Sequence, residues 1–295
     1  MSYTLRSFGN HALQKVAIWP AIGSVEPDCG VHQEFWIVFI HGGAWRDPTI
    51  NHINFAQPTI DYLELSPGLY RDLIGERSLR VASLEYRLSV HPNHPQDSDT
   101  HPDEIRAARH PEHIQDVCAG LRLLQGMHGL RAGGYILVGH SCGATLAFQS
   151  LQKEPKDDRV PQPRMIVSLA GIHDVRGIVE NHKDSQWASV YRDFVVGAFG
   201  QDESTWDQVS PVNFLDKNCV DFPLGVVLCT AKADSLVEDK QREGFQAKCL
   251  DLGIDVVELT VEGDHDEIWQ IGKRQAAAIQ VALEASSGAN GLRSR

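Results

Sequence analysis

Six short runs of β-branched and large apolar residues recur along the chain: FWIVFI (35–40), LRVASLEY (79–86), YILVG (135–139), RMIVSLA (164–170), LGVVLCT (224–230) and IDVVELTV (254–261). Segments with helical patterning separate them: Pro111 to Gln125, Cys142 to Lys153, Val237 to Leu252 and Asp266 to Ala285. Strands that are apolar on both faces and alternate with helices can satisfy themselves in few ways. They predict an α/β architecture, a mostly parallel twisted sheet with helices on both faces. The stretch Tyr3 to Trp19 supplies one or two further edge strands.

Two intervals break this rhythm. Residues 41–78 carry Gly, Pro and Asn punctuation first and helical patterning later. Residues 171–222 form a longer insertion with Trp187, Tyr191, Phe194, Phe199 and Trp206, which reads as a lid-like segment or pocket wall. With 295 residues and 42% hydrophobic content, the chain is read as one domain over 1–285. The segment 286–295, SSGANGLRSR, lacks apolar periodicity and is predicted to be a disordered tail.

A net charge of −12 disfavours nucleic acid and anionic membrane as partners, because binding phosphate needs clustered Lys and Arg. A small-molecule substrate is expected instead. No run reaches signal-peptide or membrane-spanning character, which predicts a cytoplasmic protein. The six cysteines (29, 118, 142, 219, 229 and 249) contain no C-x-x-C pair and are expected to stay reduced. The histidine-rich segment HPNHPQDSDTHPDE (91–104) has no ligand spacing with a mechanism and reads as a solvated loop, so neither metal nor cofactor is predicted. The sequence leaves oligomeric state open, a homodimer included.

Chemistry concentrates in G-x-S-x-G at Gly139, Ser141 and Gly143, which follows one strand and opens a helix. Such a turn strains its central residue and pushes that side chain out of the sheet, so Ser141 is the candidate nucleophile. Cys142 sits one step into the helix, and its expected contribution is its main-chain amide rather than its thiol. A second stretch, HGGAW (41–45), also follows a strand. Its paired glycines would turn amides of Gly42 and Gly43 toward a developing oxyanion, with Cys142 as a further donor.

A serine hydroxyl needs a base, and the base needs an orienting carboxylate. His265 is the only histidine after His182, which makes it the candidate base. Asp234 follows the strand 224–230 and is the candidate acid, with Asp239, Asp251, Asp264 and Asp266 as rivals. A helix cap at Asp234 and a plain loop role for His265 is the bland alternative.

With H-G-G-x-W, G-H-S-x-G, Asp234 and His265 in place, the chain resembles an α/β-hydrolase. Through EYRLS (85–89), HPEHIQDV (110–117), GHSCGATLA (139–147) and AGIHDV (170–175) it resembles more narrowly the kynurenine formamidase (arylformamidase) branch, of fungal type. The resemblance implies an arylformamidase that hydrolyses N-formyl-L-kynurenine to formate and L-kynurenine in tryptophan catabolism. An aromatic is expected where this chain has His173, and Asp116 reads as structural. Trp45, Trp187 and Tyr191 are candidates for an aryl-binding wall. The rival readings are a carboxylesterase acting on short-chain esters and a hydrolase-fold binding protein without catalysis.

Overall fold

A computed structural model describes residues 2–22, 33–75, 77–152, 160–216, 223 and 225–292. Eight strands form one sheet: β1 (Thr4–Ser7), β2 (Lys15–Ile22), β3 (Glu34–Ile40), β4 (Ser78–Leu84), β5 (Tyr135–His140), β6 (Met165–Leu169), β7 (Gly225–Ala231) and β8 (Asp255–Val261). Their order across the sheet is β1-β2-β4-β3-β5-β6-β7-β8. β1 and β2 pair antiparallel at one edge, and every pairing from β4 to β8 is parallel. The six apolar runs thus form the parallel part, and the weak N-terminal pattern supplies the antiparallel edge.

Side chains on a strand alternate between faces, so each central strand feeds two cores. Trp36, Val38, Ile40, Leu137, Ile166 and Leu228 point to one face, where helices α3 (Glu112–His128), α4 (Cys142–Gln149) and α9 (Asp239–Asp251) cover them. Phe35, Ile37, Phe39, Val138, Val167 and Val227 point to the other, under α1 (His52–Leu65), α2 (Arg71–Ile74), α10 (Glu267–Gln270) and α11 (Gly272–Leu292). That two-faced burial is why these strands read as near-continuous apolar runs.

Helix limits differ from the sequence reading where capping and packing intervene. The helix from Cys142 ends at Gln149 with Ser150 as its cap, and Lys153 lies outside the described residues. The stretch 266–285 breaks at Ile271 into α10 and α11. The break lets Gly272 lie against α1, where a Cβ would stand 1.8 Å from the Pro58 carbonyl oxygen. The predicted tail is corrected over its first residues. α11 continues to Leu292, with Ser286 buried and its hydroxyl donating to the Leu283 carbonyl, while 293–295 lie outside the described residues. Cys29 and Cys219 also lie outside them.

The insertion between β6 and β7 is helical: α5 (Val175–Asn181), α6 (Ala188–Phe199), α7 (Glu203–Val209) and α8 (Pro211–Phe214). Among the described residues, no helix is long and apolar enough to cross a membrane.

Candidate active site

The strand-to-helix turn after β5 is strained as its motif demands. Ser141 adopts φ 52° and ψ −120°, a left-handed backbone that a serine holds only when its surroundings fix it. Its amide donates to the Leu169 carbonyl at 2.9 Å. The flanking glycines are required by close approach: a Cβ on Gly139 would lie 2.5 Å from the Gly143 carbonyl, and one on Gly143 would lie 2.4 Å from the Ile40 carbonyl. Helix α4 therefore packs directly on β3 and β5, with Ser141 at their C-terminal edge.

The HGGAW loop after β3 turns through positive φ at Gly43, Ala44 and Trp45. Gly43 and Ala44 line a cavity of about 340 Å³ that also exposes Ser141 and His265. Gly42 does not line it. This glycine lies against the elbow, where a Cβ would be 2.5 Å from His140 Nδ1 and 3.2 Å from the Ser141 Cβ. Trp45 is also corrected as a wall residue. The left-handed turn directs its indole inward, where it is fully buried and packs edge-on against Phe199 at 4.9 Å.

Beneath the loop lies a buried scaffold that sequence reasoning passed over. Glu85 accepts from His41 Nε2 at 2.9 Å, and from the ring and main-chain nitrogens of His52 at 2.5 and 3.1 Å. Burial alone would raise the Glu85 carboxyl, but His41 and then His52 outweigh it and hold it at about 2. Tyr86 stacks on His41 at 4.4 Å and donates its hydroxyl to the carbonyls of His41 and Gly42. Ser89 donates its amide to the Trp45 carbonyl. The EYRLS motif thus holds the glycine loop from below, while its Arg87 anchors Asp116, which is structural.

Cys142 adds a contact its sequence position did not suggest. Its sulfur accepts the Trp45 amide at 3.2 Å, so the thiol braces the loop. Burial pushes that thiol up to about 11, which keeps it protonated and unreactive.

On the far side, the loops after β7 and β8 are tied together by the Lys232 amide on Val261 and the Ala233 amide on Gly263. His265 Nδ1 lies 3.0 Å from both carboxylate oxygens of Asp234. Asp234 also accepts the amides of Leu236 and Val237, which fixes its orientation. The rival Asp264 instead accepts main-chain amides of Ser235 and His265, and Asp266 accepts Trp269 Nε1. His140 was not singled out by sequence. Its Nε2 donates to the His265 carbonyl at 3.1 Å, and burial, reinforced by His265, pushes its pKa well below the usual histidine value. Donor atoms of His140, His265 and Asp266 fall within 4.8 Å of one another, and each residue already has the hydrogen-bond partner just described.

The cavity roof comes from the insertion. Trp187, Tyr191 and Phe194 of this segment line it, and Tyr191 is fixed by its hydroxyl on the Leu236 carbonyl and by stacking on His182 at 3.8 Å. Arg46 and His91 line it too, so the histidine-rich loop contributes a ring that composition alone could not place. His173 does not. It stacks flat on Phe245 at 4.2 Å in the core, where burial lowers its pKa to about 3. The imidazole there fills the place of the expected aromatic.

A strained serine at the edge of a parallel sheet, opposite an aspartate-bound histidine, defines an α/β-hydrolase. Solved structures agree on the fold. Esterase B from Lactobacillus rhamnosis superposes with a TM-score of 0.68 at 16% identity, covering 99% of this chain and 88% of that one. Carboxylesterase Cest-2923 from Lactobacillus plantarum gives 0.65 at 13% identity, covering 96% of each. No protein-family model matches the chain. Curated relatives are more specific. A kynurenine formamidase-like hydrolase of Fusarium equiseti is 35% identical over 84% of this chain and 83% of its own length. A kynurenine formamidase of Aspergillus versicolor is 32% identical over 80% and 84%. The chain belongs to the kynurenine formamidase family of fungi.

Proposed function

We propose that this protein hydrolyses the formamide of N-formyl-L-kynurenine, releasing formate and L-kynurenine, in the cytoplasm. Its partner is a small molecule, and the buried thiols of Cys142, Cys229 and Cys249 suit a reducing compartment. Ser141 is the nucleophile, His265 the base and Asp234 its orienting acid. With Nδ1 held by Asp234, the Nε2 of His265 is the nitrogen left for proton transfer. It takes the Ser141 proton as the oxygen attacks the formyl carbon. Amides of Gly43 and Cys142 receive the oxyanion. The protonated imidazole then gives its proton to the departing arylamine, and water repeats the sequence on the formyl-serine. A formyl group needs almost no acyl pocket, whereas the aryl leaving group suits the apolar roof of Trp187, Tyr191 and Phe194.

The observation that carries this reading is the meeting of Ser141, at φ 52°, and the Asp234-bound His265 in one cavity of a family member. The test compares kcat/KM for N-formyl-L-kynurenine, its N-acetyl analogue and p-nitrophenyl acetate. The formamide should be preferred, and Ser141→Ala should abolish turnover with the fold intact. A clear preference for the ester would replace the formamidase by a carboxylesterase.

A further inference from the structure

The cavity contains one fixed cation whose charge the hydrolytic machinery does not use. Arg46, three residues beyond Gly43, lines the cavity with a side chain only 8% exposed. It is the only Lys or Arg among the lining residues. A guanidinium stays ionised when buried and needs an anion to remain there. Among the described residues its one hydrogen bond runs from Nη1 to Asp193 Oδ2 at 2.5 Å, which engages one of its five N–H donors. Asp193 itself stands on α6 with its side chain 58% exposed, at the solvent side of the pair. The guanidinium also lies 5.8 Å from the centre of the Phe194 ring, which limits its freedom. A planar cation with unused donors is thus fixed beside the apolar wall of Ile178, Tyr191 and Phe194, in a cavity whose lining also carries the carboxylates Asp47 and Asp266, and in a protein whose net charge of −12 would repel an anionic ligand.

From this geometry we infer that Arg46 anchors the α-carboxylate of the substrate, the Arg46–Asp193 pair matching a zwitterionic amino acid charge for charge. The inference rests on the formamidase reading and deepens it. It makes the site selective for aryl formamides that carry an amino-acid carboxylate. A bidentate Arg–carboxylate contact accounts for roughly 10- to 100-fold in affinity.

The test is a ratio measured within each protein: kcat/KM for N-formyl-L-kynurenine divided by that for N-formylkynuramine, which lacks the carboxylate. The wild type should favour the carboxylate by about 10- to 100-fold. Arg46→Met should bring the ratio near 1 through KM, and Arg46→Lys, which keeps the charge but loses the fork, should fall between. A wild-type ratio near 1, or one that Arg46→Met leaves unmoved, overturns the inference. In parallel, L-kynurenine and kynuramine are compared as inhibitors of p-nitrophenyl acetate hydrolysis by the same three proteins. Should the wild type cleave the ester and neither formamide, the formamidase reading fails. The inhibition ratio then decides Arg46 alone: wild-type preference for L-kynurenine lost in Arg46→Met supports the anchor, and equal inhibition overturns it.

Discussion

At the scale of single residues, the elbow separates two adjacent side chains by environment. Ser141 is held at the cavity by backbone strain, and Cys142 is fully buried beneath it with its sulfur on the Trp45 amide. Cys142→Ala keeps the main-chain amide but removes that acceptor, leaving the loop of Gly43 and Ala44 less constrained. A lost neutral hydrogen bond is worth about 1 kcal/mol, so kcat should fall about fivefold with KM little changed. An unaltered kcat would show that the thiol does not brace the loop. The sequence placed Cys142 at the helix start correctly, yet the direction of its thiol depends on Trp45, 97 residues away in the chain. No local pattern encodes that distance.

Among the elements, the site is a meeting of loops at the C-terminal ends of β3, β4, β5, β7 and β8, where parallel strands present their following turns on one edge. The turn after β4 contributes no group to the proposed chemistry and holds the turn after β3 instead. Its centre is Glu85, bound by His41 from one element and His52 from another. Glu85→Gln removes the charge that both rings face, and breaking such a buried arrangement costs about 3 kcal/mol or more. The urea midpoint should drop accordingly, and kcat should fall with it as the glycine loop relaxes. A variant with wild-type midpoint and kcat would dismiss Glu85 as the scaffold. The EYRLS run was legible as a motif but not as a support, because its role lies in contacts across loops. The 91–104 loop is a similar case: it reads as solvated, and His91 nonetheless reaches the cavity.

For the whole molecule, buried histidines set the response to acid. Burial lowers His113 and His173 to about 3, so both are neutral in the folded protein where the unfolded chain would bind protons near 6.5. The unfolded state then carries more protons between those limits, and stability rises with pH there. It should be full above about 6.5 and fall on acidification by about 1.4 kcal/mol per pH unit for each of the two. Glu85 has the opposite chemistry. Its pKa of about 2 lies below the ordinary 4.5, so its contribution holds above 4.5 and is lost between 4.5 and 2. Urea unfolding from pH 7 to 5 should show the histidine slope, and His113→Gln should flatten it by about one proton. A pH-independent midpoint over that range would contradict buried neutral histidines.

The sequence by itself determined the sheet, because apolar runs of strand length interleaved with helices can bury both faces in few other ways. It also determined the elbow, because the Gly139 and Gly143 positions tolerate no Cβ. Only the tertiary structure decided which aspartate meets His265, that Trp45 turns into the core while Trp187 and Tyr191 face the cavity, and that Arg46 stands in that cavity as a cation. Periodicity and steric exclusion act between near neighbours in the chain and so are written locally. Hydrogen-bond partners and cavity walls come from segments many residues apart, whose meeting exists only once the core has packed.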